Sequence, residues 1–171
     1  MHNERRVDPV AAPEAVEALL AASRALVGIA ARSLAETDPD VTLPQYRALV
    51  VLAARGPQRV AEVAAELQVA TSTATRMCDR LVRKNLIRRS RPSSDRRVVR
   101  LTLTAAGRRL VHQVTEQRRV QLAAIVAETT GIWHPAVAPA LRAFAAAAGE
   151  IPEHEWWLGF PSADDDEPRS A

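Results

Sequence analysis

Thr71-Ser-Thr-Ala-Thr-Arg-Met-Cys-Asp-Arg-Leu-Val-Arg-Lys84 runs straight into Asn85-Leu-Ile-Arg-Arg-Ser-Arg-Pro-Ser-Ser-Asp-Arg-Arg-Val-Val-Arg-Leu-Thr-Leu103, and the change of period between the two decides the fold. In the first stretch Ala74, Met77, Cys78 and Leu81 recur at the spacing of one helix face. Asn85 suits a left-handed stop at the end of that helix. In the second, Val99, Leu101 and Leu103 alternate with Val98, Arg100 and Thr102, which is strand behaviour. Leu86 to Ser90 can supply an antiparallel partner strand. Arg91-Pro-Ser-Ser-Asp-Arg-Arg97 then becomes a turn-rich, very basic hairpin tip.

The flanks read as helices. Upstream, Val60, Val63, Ala64 and Leu67 give a short helix, joined to the next by only Gln68-Val69-Ala70. Before it, Thr42-Leu-Pro-Gln45 has the pattern of a capping box, in which the Thr42 hydroxyl accepts from the Gln45 amide and the Gln45 side chain reaches back. Tyr46, Leu49, Val50 and Ala53 line the helix it opens, and Gly56-Pro57 ends it. Earlier still, Val16, Leu19, Leu20, Leu26, Val27, Ala30 and Leu34 mark a long first helix, started by Pro13 and broken by Thr37-Asp-Pro-Asp40. Downstream, Thr104 can cap a long helix from about Ala105 to Thr129, carrying Leu110, Val111, Val114, Leu122 and Ile125. Gly131 to Pro135 interrupts it, and Val137, Leu141, Phe144 and Ala148 mark a last helix. The expected fold is mainly α with a small β-hairpin wing: a winged helix-turn-helix over 42–104 with N- and C-terminal helices around it. The expected divisions are a flexible arm at 1–12, one domain over 13–150, and an acidic, partly disordered extension over 151–171.

Composition narrows the function. The chain has 171 residues, 47% hydrophobic and 25% charged, values of a globular domain rather than a disordered one. Charge interrupts each apolar run, so no membrane span is expected, and the polar start lacks a secretory signal's apolar segment. A cytoplasmic location follows as the expectation. The net charge of +3 is unevenly distributed. Between Arg76 and Arg100 lie ten bases against two acids, a local net of +8, whereas the segment from Glu150 onward has seven acids and one base. Such asymmetry points to a polyanion-binding face and an acidic appendage. The plain alternative is a solvated helix face laced with ion pairs.

With the apolar stripe turned inward, the second helix of the pair presents Thr71, Ser72, Thr73, Thr75, Arg76 and Arg80 outward. Small hydroxylated residues at a helix N-terminus permit close approach to a major groove, where they meet phosphates and base edges. Arg76 has the reach for a bidentate contact with guanine. Arg96 and Arg97 at the hairpin tip suit an adjoining minor groove, with Asp95 placed to orient Arg97. The expected partner is double-stranded DNA carrying a pseudo-palindromic operator.

Leu43-Pro-Gln-Tyr-Arg-Ala-Leu49, Val60 to Leu67, Ser72-Thr-Ala-Thr-Arg-Met-Cys-Asp-Arg-Leu81, Asp95-Arg-Arg97 and Leu101-Thr-Leu-Thr-Ala-Ala-Gly107, in that order, resemble the multiple-antibiotic-resistance regulator (MarR) family. The resemblance is close from about Leu43 to Leu110 and extends to the flanking helices by layout. It implies a homodimeric, sequence-specific winged-helix transcription regulator, expected to act as a repressor, with helices 14–36 and 105–149 interlocking between subunits. It also implies loss of DNA affinity when a small, often aromatic effector binds. By position, Ser72, Thr73, Thr75 and Arg76 match the base-reading helix and Arg97 the wing arginine. Two departures stand out: Ala70 occupies a position that is often a Ser cap, leaving capping to Thr71 or Ser72, and Asn85 replaces a glycine.

Other residues invite sharper readings. Tyr46, Arg47 and His112 are candidates for a ligand cavity between the dimer helices and the DNA-binding lobe, against the plainer reading of a core tyrosine and two surface residues. Cys78 lies on an apolar stripe and is expected in the core rather than as a redox sensor. His2, His112, His134 and His154 are scattered, so neither a metal nor a cofactor is expected. Trp156, Trp157 and Phe160 are expected to dock on the protein's own surface, and Asp164 to Glu167 to form a solubilising tail. No Gly-rich phosphate loop, nucleophile elbow or carboxylate pair points to an enzyme. The competing reading is a winged-helix module for protein contact without an operator of its own.

Overall fold

The computed structural model describes residues 11–91 and 98–156. The order is α1 (Ala11–Thr37), α2 (Leu43–Arg55), α3 (Val60–Glu66), α4 (Thr71–Arg83), β1 (Ile87–Ser90), β2 (Arg100–Leu103), α5 (Ala105–Glu128) and α6 (Val137–Ala147), then a single 3-10 turn at Glu153–Glu155. The strands pair antiparallel, with Ile87 opposite Leu103 and Ser90 opposite Arg100. This is the α-helical fold with a hairpin wing that the change of period predicts. α1 starts two residues ahead of Pro13, so Pro13 sits inside the first turn, where a missing N–H is harmless. The remainder of the expected N-terminal arm, residues 1–10, lies outside the described residues.

Local chemistry accounts for the boundaries. Thr42 and Gln45 form the capping box: the Gln45 amide donates to Thr42 Oγ1 at 3.4 Å, and the Thr42 amide to Gln45 Oε1 at 3.0 Å. α3 opens with Glu62 accepting from the backbone N–H of Arg59 at 2.7 Å and from its Nε at 2.9 Å. Those contacts hold the Glu62 carboxyl below its ordinary range, the backbone bond contributing most. Asn85 adopts the left-handed conformation expected of it, at φ 55°. α4 departs from expectation: neither Thr71 nor Ser72 caps it. Ala70 is the N-cap and no side chain bonds the first-turn amides among the described residues. The Thr75 hydroxyl instead donates to the Thr71 carbonyl at 2.8 Å.

The core lies where α2, α4, the hairpin and the first half of α5 converge. Leu49, Leu52, Val63, Leu81, Ile87, Leu101, Val111 and Val114 are all fully enclosed there. Truncating such a leucine to alanine costs about 2–5 kcal/mol. Gln58, absent from the sequence-based strands, bridges to Leu101, donating to its carbonyl at 3.1 Å and accepting from its amide at 2.7 Å. This bridge fastens the wing's inner strand to the end of α2. A single residue between α2 and α3 has no periodicity, which is why the pattern missed it.

α1 and α6 contrast with this lobe. α1 leaves Val16, Leu20, Leu26 and Val27 exposed, and α6 leaves Leu141 and Phe144 exposed, Phe144 at 54%. α6 has no buried residue. By length and composition, Pro13–Thr37 is apolar enough to cross a membrane, with a window of mean hydropathy 1.4. The sequence reading that charge interrupts every apolar run is therefore too strong for α1, where alanines raise the average between sparse charges. Core helices of soluble proteins share this length and composition.

The hairpin and α5 meet at Gly107. Thr104 Oγ1 accepts from the Gly107 amide at 3.0 Å and donates toward the carbonyls of Asn85 and Leu86. A Cβ at Gly107 would lie 2.0 Å from the Leu86 carbonyl oxygen. Gly107→Ala is expected to destabilise the protein by about 3 kcal/mol or more through forced backbone displacement, read as a drop in the midpoint of denaturant unfolding. An unchanged midpoint would mean that the contact relaxes freely.

Candidate nucleic-acid interface

Burying three side chains aims α4. Ala74, Cys78 and Leu81 are at most 1% exposed, and the helical repeat therefore turns Thr71, Ser72, Thr73, Arg76 and Arg80 to solvent. Thr75 is half-buried, its proton committed to Thr71 while its oxygen remains able to accept. Thr73, Arg76 and Arg80, with Met77, share one polar depression with Thr42 and Gln45 at the start of α2. The α2 rim was invisible to sequence reasoning, because nothing in the spacing says that the N-terminus of α2 abuts the outward face of α4.

The uncapped start of α4 adds to the surface. The first-turn amides carry the positive end of the helix dipole and have no side-chain acceptor. Arg89 on β1 is committed within the lobe, its Nη2 lying 2.5 Å from Asp79 Oδ1 of α4. This pair removes one of the two acids from the basic stretch and ties α4 to the wing. The remaining predicted wing residues, Asp95, Arg96 and Arg97, lie outside the described residues.

The ligand candidates separate. Tyr46 and Arg47 both line an apolar cavity of about 790 Å³ between α1, α2 and α6, walled by Leu26, Val27, Leu141, Phe144 and Trp156 among others. His112 is exposed on α5 and lines neither this cavity nor the polar depression. Arg118, which no motif marked, lines the cavity instead. Tyr46 is 5% exposed, and its hydroxyl and the Arg118 Nε are both buried without a hydrogen-bond partner among the described residues. Thr115 and Arg118 are polar neighbours of that hydroxyl, but neither meets it in hydrogen-bonding geometry. Burial pushes the Tyr46 phenol above its ordinary range, against the lowering influence of Thr115 and Arg118. Arg47 is bound in two hydrogen bonds to Glu150, one of them 3.1 Å from Nη1 to Oε2.

Cys78 is in the core, as its place on the stripe predicts. Burial raises its thiol above the ordinary range, with Arg89 opposing and Asp79 adding. Among the described residues no three His, Cys, Asp or Glu side chains group as metal ligands. Trp156 packs against the core and its indole N–H donates to the Ile151 carbonyl at 2.8 Å, the self-docking expected of it. Trp157, Phe160 and the acidic Asp164 to Glu167 lie outside the described residues.

A basic helix face beside a two-stranded wing, set on a three-helix lobe, defines a winged helix-turn-helix. Comparisons with known proteins agree. The MarR family profile matches residues 41–99. The crystal structure of RV1404 from Mycobacterium tuberculosis is 41% identical, with a TM-score of 0.77, over 86% of this chain and 99% of that one. A MarR family protein from Bacillus stearothermophilus is 26% identical with a TM-score of 0.72, over 85% of this chain and 100% of its own. The HTH-type transcriptional repressor MdtR of Bacillus subtilis is 39% identical over 83 residues, 48% of this chain and 54% of its own length. This chain thus spans about half the length of the curated relatives it matches. It belongs to the MarR family and has the fold of that family's transcription regulators.

Two outcomes follow from the buried groups. Cys78 should stay unreacted with a thiol-specific reagent at pH 8 until the chain is unfolded, and prompt native-state labelling would place the thiol at the surface. Tyr46→Phe removes an orphaned hydroxyl and should raise stability by about 1 kcal/mol in denaturant unfolding. A loss of stability would show that the hydroxyl has a partner in solution.

Proposed function

We propose that this chain is a homodimeric, sequence-specific regulator of transcription that grips a pseudo-palindromic operator in double-stranded DNA. The observation that carries the reading is the outward face of α4. Thr71, Ser72, Thr73, Thr75, Arg76 and Arg80 are the reading residues, and a helix start that no side chain of its N-cap closes suits a backbone phosphate. The rim at Thr42 and Gln45 extends that surface toward the flanking backbone. Asp95, Arg96 and Arg97 are assigned to the adjoining minor groove on sequence grounds, and the +8 local charge supplies the nonspecific attraction. The relatives, being transcription regulators, do not favour a module limited to protein contact.

Dimerisation is supported by the bare apolar faces of α1 and α6, which the lobe itself leaves uncovered. The division into dimerisation helices at 14–36 and 105–149 and a DNA-binding lobe at 42–104 belongs to this reading, as does a cytoplasmic site of action. One relative is described as a repressor, and repression is the mode we assign. The apolar cavity, which Tyr46, Arg47 and Arg118 help to line, suits a small apolar effector, aromatic in the simplest case, carrying one hydrogen-bonding or anionic group. Its occupancy would lower DNA affinity.

Selection of binding sites from random DNA tests the reading. Half-sites should be centred about 10 base pairs apart, and log affinity should fall with log salt at about −0.9 per phosphate contacted. Arg76→Ala should cost about 1–3 kcal/mol and relax specificity at one position. Arg97→Ala should weaken binding with folding intact. A failure to enrich any sequence at low salt removes the operator, and full-strength binding by Arg97→Ala removes the wing. Light scattering should return twice the 18.6 kDa chain mass, and the monomer mass at micromolar concentration would contradict the dimer.

A further inference from the structure

Residues 149–156 fasten an otherwise loosely held helix to the lobe that carries the recognition surface. α6 has no buried residue, so its own packing fixes it poorly. Its end is well defined: Gly149, at φ +81°, donates to the Ala146 carbonyl and Glu150 to the Ala145 carbonyl, both at 3.0 Å. This paired pattern, with a left-handed glycine, reverses the chain. The reversal delivers Glu150 to Arg47 of α2, while Arg55 of α2 reaches the Gly149 carbonyl at 3.5 Å. Ile151 lines one small hollow together with Val50, Val51 and Ala54 of the same helix. Two residues on, Glu153 takes Arg119 of α5 at 2.8 Å, and Trp156 closes the segment by packing on the core. One short segment thus grips α2, which belongs to the DNA-facing lobe, α5, and the end of α6.

We infer that this segment is a strap that sets where the winged-helix lobe stands relative to the dimerisation helices, and so tunes DNA affinity through residues that lie off the α4 face. The inference rests on the DNA-binding reading above. In a dimer, two recognition helices must meet successive turns of one duplex, so a small rotation of each lobe changes how many contacts form together. The strap's ion pairs are roughly half exposed, with Arg47 and Glu150 at 44% and 43%. Pairs of that kind are weak singly and easily exchanged, which suits a device that holds an orientation without locking it. The geometry comes from the helix ending and the indole, and the carboxylates choose the partners.

A charge swap in the full-length protein tests it, using the DNA sequence that the wild type selects from a random pool. Glu150→Arg adds positive charge, and by charge alone it would strengthen binding to a polyanion. The strap predicts the reverse, a loss of about tenfold. Arg47→Glu should lose at least as much, and the double swap should return affinity to within about twofold of wild type. Hydrogen exchange of the amides at 149–156 should quicken in each single variant and slow again in the double. Stronger binding by Glu150→Arg, purely additive losses, or quickened exchange with unchanged affinity would each overturn the inference. If the wild type selects no sequence, the DNA-binding reading fails instead. The strap is then judged by exchange alone: it stands if α2 amides quicken together with 149–156 and falls if they do not.

Discussion

Leu81, Cys78 and Ala74 seat α4 in the lobe, and nearly everything functional depends on that seating. The three side chains have almost no contact with solvent, so their stripe fixes the rotation of the helix about its axis. A helix with its apolar stripe against a core has one outward face, and here that face carries three hydroxyls and two arginines. The same burial withdraws the Cys78 thiol from solvent. The Asp79–Arg89 pair then ties this helix to the first strand of the wing, so the helix and the hairpin hold a common orientation.

The two ends of the molecule follow different physics. In the lobe, backbone and side-chain groups are satisfied locally: the capping box at Thr42, the bridge at Gln58 and the triple use of the Thr104 hydroxyl each close an account between neighbouring elements. Toward α1 and α6 the apolar surface is left open and polar contacts become sparse. Ser33 and Gln121, joined at 3.1 Å, form a side-chain bond between α1 and α5. Exposed aliphatic and aromatic area of this extent is the usual mark of a contact surface.

How much of this the sequence carries depends on the range of the interaction. Helix and strand assignments rest on periods of 3.6 and 2, and a period needs only its own segment. That is why α4, the hairpin, the Thr42 box and the stop at Asn85 are legible. Capping at Ala70 is less so, since Thr71 and Ser72 have the right chemistry one and two positions too late. Tertiary juxtapositions are not legible. Arg118 becomes a cavity residue, and His112 does not, through the rotation of α5 against α2. Glu150 and Glu153 look like part of an acidic tail until the fold brings Arg47 and Arg119 beside them. The Gln58 bridge is invisible for the same reason: one residue makes no pattern.

The seating of α4 has a consequence for how such a regulator can diversify. Each residue added to a helix rotates all that follows by about 100°. A single insertion between Ala74 and Leu81 would therefore swing arginine or threonine into the space that the aliphatic side chains and Cys78 now fill. Substitution on the outer face meets no such barrier, because those side chains touch little of the protein. On the DNA-binding reading proposed above, descendants of this chain are thus free to change which bases they prefer by exchanging letters, and are closed to changing it by altering the helix's length.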